Sequence, residues 1–207
     1  MRELDPRRTA VVNIHWQHEI VSPDGLFGPL FAEQVARNDT ATRAAQVTSA
    51  LREQGGLVIY TRTAYRPGHP ELISNTPSYL MIGERKAFLR DAPGTRIIDA
   101  MAPAASDIVI DHTRLTGFFG TALDSILRAN DIDTLLITGV ATNLSVMGTA
   151  FDAINYGYRI VMVGDACAAA TDEVHLTSLE TLRFLTDVAD AGEVVDALRG
   201  SGAGPNG

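Results

Sequence analysis

A doubly wound α/β fold, a mainly parallel sheet between two helical layers, is the architecture this sequence predicts, on three observations. Five short runs rich in Val, Ile and Leu are apolar with little alternation, as in parallel strands covered on both faces. Segments with helical punctuation fall between them, and such alternation favours a parallel sheet with right-handed crossovers. A chain of 207 residues, 45% of them hydrophobic, can bury one such core without disulfides or metals.

In chain order, residues 10–14 give the first strand, and residues 39–54 read as a helix stopped by Gly55 and Gly56. Residues 57–61 are the second strand. Residues 65–95 then carry Pro67, Pro70, Pro77 and Pro93 with little sustained period. A connection of that length is commonly functional, so it is expected to be a flap over the site with a short helix near residues 79–84, or else an oligomer contact. Residues 107–111 are the third strand. Thr121, with Asp124 three residues on, resembles a capping box opening a helix to Asn130. Strand four, residues 134–138, leads through a Gly-containing turn to a helix over residues 143–156. Strand five covers residues 159–163, and helices follow at 172–185 and 193–198. One domain is expected over residues 1–199, with a Gly-rich, flexible tail at 200–207.

Composition narrows the function. Cys167 is the single cysteine, and the first thirty residues mix Arg, Asp, His and Glu instead of an apolar signal core. A cytoplasmic location is expected. No apolar run reaches about 18 residues, so no membrane span is expected. A net charge of −8 without a basic cluster argues against nucleic acid and for a small-molecule substrate.

Parallel strands present their carboxyl ends to one edge, where ligands bind in this architecture. The polar residues just past the strands are His15, Arg62, His112, Arg114, the turn around Thr142, Asn143 and Ser145, and Asp165. Any one of them is ordinary; two His and a Ser at three strand ends are less so. Ser145 falls in the first turn after a strand, where unpaired N–H groups and the helix dipole would favour a nucleophile or an oxyanion. By itself it is equally readable as a favourable first-turn residue.

Over nearly the whole chain the sequence resembles the isochorismatase-like, or cysteine hydrolase, superfamily. Thr116-Gly117-Phe118-Phe119-Gly120-Thr121-Ala122-Leu123 looks like that family's Ser-Ala-Phe-x-Gly-Thr-x-Leu segment, and residues 137–146 resemble its nucleophile loop. Thr149-Ala150, Asp152-Ala153, Gly157-Tyr158 and Asp165-Ala166 follow at the family's spacing, and Val11 to Gln17 aligns with its strand ending in Asp-Met-Gln. The resemblance implies a parallel sheet between helices, and a cis peptide at Val140-Ala141 with N–H groups of Val140, Ala141 and Thr142 facing an oxyanion. It also implies a homodimer or homotetramer and a catalytic triad of Asp, Lys and Cys. This sequence has His15, His112 and Ser145 at the three triad positions. Cys167 lies elsewhere and reads as a small packed residue.

A serine hydroxyl is much less acidic than a thiol and needs a base during attack, and histidine, with an ordinary pKa of about 6.5, is such a base. The three replacements are therefore coherent as a set. Two adjacent imidazoles should titrate as a coupled pair, with a rate that rises and falls between about pH 5 and 8. If Arg62 or Arg114 points inward, a carboxylate-bearing substrate would be favoured. Trp16, Phe118, Phe119 and Tyr65 are candidate walls for a planar ligand. No cofactor is expected. His15, His18 and His112 are possible metal ligands, but the metal-containing branch carries Asp-x-His where Thr61-Arg62-Thr63 stands here, so no metal is expected either.

Three functions follow. One is a serine hydrolase of a small amide, ester or imine using Ser145 with histidine help. Another is a non-covalent acid/base enzyme of isochorismatase type, cleaving a vinyl ether or related bond through His15 and His112. The third is a binding protein on the same fold.

Overall fold

The computed structural model describes residues 3–201. Its sheet has six strands, all paired in parallel: β1 Thr9–Ile14, β2 Leu57–Thr63, β3 Ile108–His112, β4 Thr134–Val140, β5 Arg159–Ala168 and β6 Asp187–Ala189, in the order β3-β2-β1-β4-β5-β6. The chain winds outward from β1 to β3, returns to place β4 beside β1, and winds outward the other way. The crevice between β1 and β4 is thus the topological switch point, where ligands bind in such sheets.

Every residue of β1 and β4 is buried, which is why both read as apolar runs without alternation. Their alternate side chains feed two cores. Val11 and Leu136 join the helices α2 Gly28–Arg37, α3 Thr40–Glu53 and α8 Ala191–Ser201 on one face. Val12 and Leu135 join α5 Leu123–Ala129, α6 Met147–Asn155 and α7 Asp172–Arg183 on the other. The result is the three-layer α/β/α arrangement expected, with two short helices, α1 His18–Val21 and α4 Pro77–Arg85, beside the carboxyl edge.

Several details depart from the sequence reading. Strands β2, β4 and β5 run longer, β6 was not anticipated, and neither was α2, whose Pro29 occupies a first-turn position suited to proline. The capping box at Thr121 does not form: Ala122 is the N-cap, and the Thr121 hydroxyl donates to the Gly117 carbonyl at 2.6 Å. The helix expected over 143–156 is split into a wide π-type turn, Thr142–Val146, and α6. Helix α8 includes Gly200 and Ser201, while the rest of the expected tail, residues 202–207, lies outside the described residues.

Two local devices shape the crevice. A buried chain of hydrogen bonds runs from Trp16 Nε1 to the Thr138 hydroxyl (3.2 Å) and from that hydroxyl to Asn13 Oδ1 (2.7 Å), tying β1 to β4 at their carboxyl ends. Gly139 has φ +133°, and a Cβ there would sit 2.2 Å from the Ile14 carbonyl oxygen, so only glycine allows so close an approach.

Candidate functional site

His15 follows β1 and is held at φ 60°, a left-handed conformation uncommon for a residue with a side chain, its N–H donating to the Thr61 carbonyl at 3.0 Å. His112 ends β3, two strands away, level with Thr63 of β2 between them. Both imidazoles are buried, their rings lie nearly parallel at 4.9 Å between centroids, and their Nε2 atoms are 2.9 Å apart. The Thr63 hydroxyl lies 3.3 Å from His15 Nε2.

Proton positions follow from the partners. His112 Nδ1 faces the Arg114 carbonyl at 2.7 Å, an acceptor only, so Nδ1 carries the proton. In the neutral ring Nε2 is then a lone pair, and it accepts from the Nε2–H of His15. In that tautomer Nδ1 of neutral His15 carries no proton. Burial pushes His15 well below its ordinary range and the neighbouring His112 pushes it further, while a backbone hydrogen bond to Val140 favours its charged form. Burial also lowers His112, to about 4, against the smaller favourable effects of the Arg114 carbonyl and Asp111.

The next wall comes from β4. The Val140-Ala141 peptide is cis, and the turn Thr142–Val146 follows directly. Ser145 is buried there at the edge of a cavity of about 180 Å³, and its hydroxyl is not engaged in any hydrogen bond among the described residues. The first N–H groups of such a turn have no partner within it and present a positive end. Thr142 is fixed by a 2.9 Å contact between its hydroxyl and His175 Nδ1.

His15, Thr63, Arg114, Val140, Ala141 and Ser145 all border this cavity. His112 stands behind His15 and does not itself border the cavity. The remaining walls come from Phe27 and Phe31, at and within α2, a segment the sequence reading did not connect to the site, and from Tyr79 and Ile82 of α4. The segment 65–95 thus covers the cavity, as a flap would, with α4 close to where a helix was expected. Gln17 secures its far end: Nε2 donates to the Thr63 and Thr95 carbonyls and Oε1 accepts from the Thr63 N–H, at 2.8 to 2.9 Å.

Other expected residues do not reach the cavity. Arg62 lies within β2, which extends to Thr63, so it points to the opposite face from Thr63 and forms an ion pair with Asp111 at 2.5 Å. Asp111 is also paired with Arg90. Trp16 is turned into the core by its bond to Thr138, and Phe118 is stacked on Tyr156 beneath the opposite helical layer. Phe119 is 67% exposed. Tyr65 is buried with its hydroxyl on the Thr113 carbonyl, Asp165 pairs with Arg43, and His18 Nδ1 contacts Ser22. Cys167 is packed in the sheet beside β4, its thiol pushed up to about 12 by burial.

A family model described as the isochorismatase domain matches residues 9–195. The chain is similar to the ureidoacrylate amidohydrolase RutB of Methylobacterium radiotolerans, with 28% identity over 209 residues, covering 94% of this chain and 81% of that protein. It is also similar to the N-carbamoylsarcosine amidase of Thermoplasma acidophilum, at 29% identity and a TM-score of 0.71, over 89% of this chain and 96% of that one. A cysteine hydrolase from Pseudomonas syringae pv. phaseolicola has the same fold over 97% of both chains, with a TM-score of 0.89 and 24% identity.

Proposed function

The chain belongs to the isochorismatase family and is a hydrolase of that family, and we propose that it cleaves a small amide, ester or imine through Ser145, with the His15–His112 pair moving the proton. One observation carries this reading: an uncommitted serine hydroxyl and a neutral imidazole border the same cavity at the switch point of the sheet.

For an amide, the Ser145 Oγ–carbon bond forms as the carbonyl π pair moves onto oxygen, and the serine proton passes to His15 Nδ1. The Val140 carbonyl favours the charged imidazole. His15 can share its Nε2 proton with His112 across their 2.9 Å contact. N–H groups of the turn after Val140 and Ala141 receive the oxyanion. Collapse breaks the C–N bond, the leaving nitrogen takes the proton, and water then attacks the acyl-serine by the same steps in reverse, releasing the acid.

A second reading has its own supporting observation, since His15 Nε2 bonds to His112 and no hydrogen bond joins either ring to Ser145. In that case the pair activates a water that attacks directly. Acid-quenching the protein during turnover of 4-nitrophenyl acetate and weighing it intact separates the two: an added acetyl mass on the wild type, absent from Ser145→Ala, supports the covalent route. An unmodified wild-type mass during steady turnover would refute it.

A further inference from the structure

The composition of the cavity wall constrains what lies in it. Beyond the polar groups of His15, Thr63, Ser78 and Ser145, the wall is mostly apolar, with Ile20, Phe27, Phe31, Ile82, Phe88 and Leu115 in it. The first five of these apolar residues are buried or half-buried residues of the core on that face. The volume of about 180 Å³ is close to that of apolar cavities of about 150 Å³ that accept a benzene ring.

Charge recognition in this cavity rests on one residue, itself tied to the flap. Arg114 alone among the described lining residues carries a fixed charge. Its Nη1 donates to the Ile73 carbonyl (3.2 Å) and its Nη2 to Asn75 Oδ1 (3.1 Å), and its guanidinium lies 4.2 Å over the Tyr79 ring. Each terminal nitrogen therefore has one of its two N–H groups committed to the flap, which fixes where the guanidinium sits. Arg62 is neutralised by Asp111 on the other face. An anionic group entering this cavity would lose its water among mostly apolar walls and meet a single guanidinium already shared with the flap.

Resting on the hydrolytic reading above, we propose that the group held in this cavity is uncharged and apolar, about one phenyl ring or a branched alkyl chain in size, so that the substrates are amides or esters of apolar acids. The scissile carbonyl then lies at the polar edge, and the apolar body fills the space between α2 and α4. Arg114 acts as a positioning residue that keeps Tyr79 and the flap over that body.

The test measures binding apart from turnover. Titration calorimetry of Ser145→Ala uses acetamide, isobutyramide, isovaleramide, benzamide and the carboxylate-bearing succinamate. Affinity should rise roughly tenfold per added methylene up to ring size, and succinamate should bind more weakly than isovaleramide. Ile82→Ala should move the optimum from benzamide to phenylacetamide, and Phe31→Leu is the milder alternative if that variant does not fold. A flat series, or succinamate binding best, overturns the proposal. Wild-type hydrolysis followed in parallel keeps the two readings distinct. A steep apolar preference without turnover supports the assignment of the cavity and counts against hydrolysis at this site, whereas succinamate turnover with flat binding does the reverse.

Discussion

Acid should destabilise this protein through His112, by an amount that follows from its environment. The ring is held at about 4 against an ordinary value of 6.5 because it is buried. Above pH 6.5 neither the folded nor the unfolded state binds the proton, so the shift has no effect on stability. Between 6.5 and 4 the unfolded chain binds it and the folded one does not, so stability falls as pH falls, by up to about 1.4 kcal/mol per pH unit. Below 4 both states are protonated and the loss is complete. The full cost is about 3 kcal/mol over that window. His112→Asn removes the titration while its amide nitrogen can keep the bond to the Arg114 carbonyl. Urea midpoints at pH 7.5, 6.5, 5.5 and 4.5, read from the single, buried Trp16, give both curves. Carboxylates and the more distant histidines contribute to both proteins alike, so the difference reports His112 together with its effect on His15. The wild type should lose about 3 kcal/mol relative to the variant between pH 7.5 and 4.5. Parallel curves would refute the assignment of a neutral, desolvated His112.

Three further outcomes are expected. Because both imidazoles are lowered, the acid limb of the rate profile should lie below the ordinary histidine range, with activity retained at pH 6 and lost toward pH 4; an acid limb centred at 6.5 or above would show a solvated base. Gln17→Ala strands the Thr63 N–H and the Thr63 and Thr95 carbonyls, and should cost about 3 kcal/mol, or roughly 6–12 °C in Tm by calorimetry. A loss under about 1 kcal/mol would mean that water replaces the amide. Cys167, buried with a thiol near 12, should react with a thiol-specific disulfide reagent at pH 8 only after unfolding, and the native protein should keep full activity throughout; rapid inactivation would contradict both its burial and a serine-centred site.

The parts of the site that lie on the sheet were legible, because a parallel sheet puts every strand's carboxyl end on one edge. His15, His112 and Ser145 could thus be grouped from strand positions alone, and the nucleophile loop carried a specific pattern. Arg62 was misassigned for a physical reason: β2 extends two residues past its apolar run, and at one residue's difference a side chain changes face. The apolar walls were harder to see. Phe27 and Phe31 belong to a segment interrupted by Pro23, Gly25 and Gly28, where the single useful signal was Pro29 at the start of α2. Nothing local in Trp16 or Phe118 distinguishes an aromatic facing a ligand from one turned into the core. Their orientation depends on partners distant in sequence, Thr138 and Tyr156.

Turnover of apolar amides and 4-nitrophenyl esters by the wild type beside Ser145→Ala tests the central claim most directly. The account predicts that removing the hydroxyl lowers kcat/KM by at least about a thousandfold while binding of the apolar amides is kept. Hydrolysis by Ser145→Ala within tenfold of the wild type would contradict it and assign the chemistry to the histidine pair.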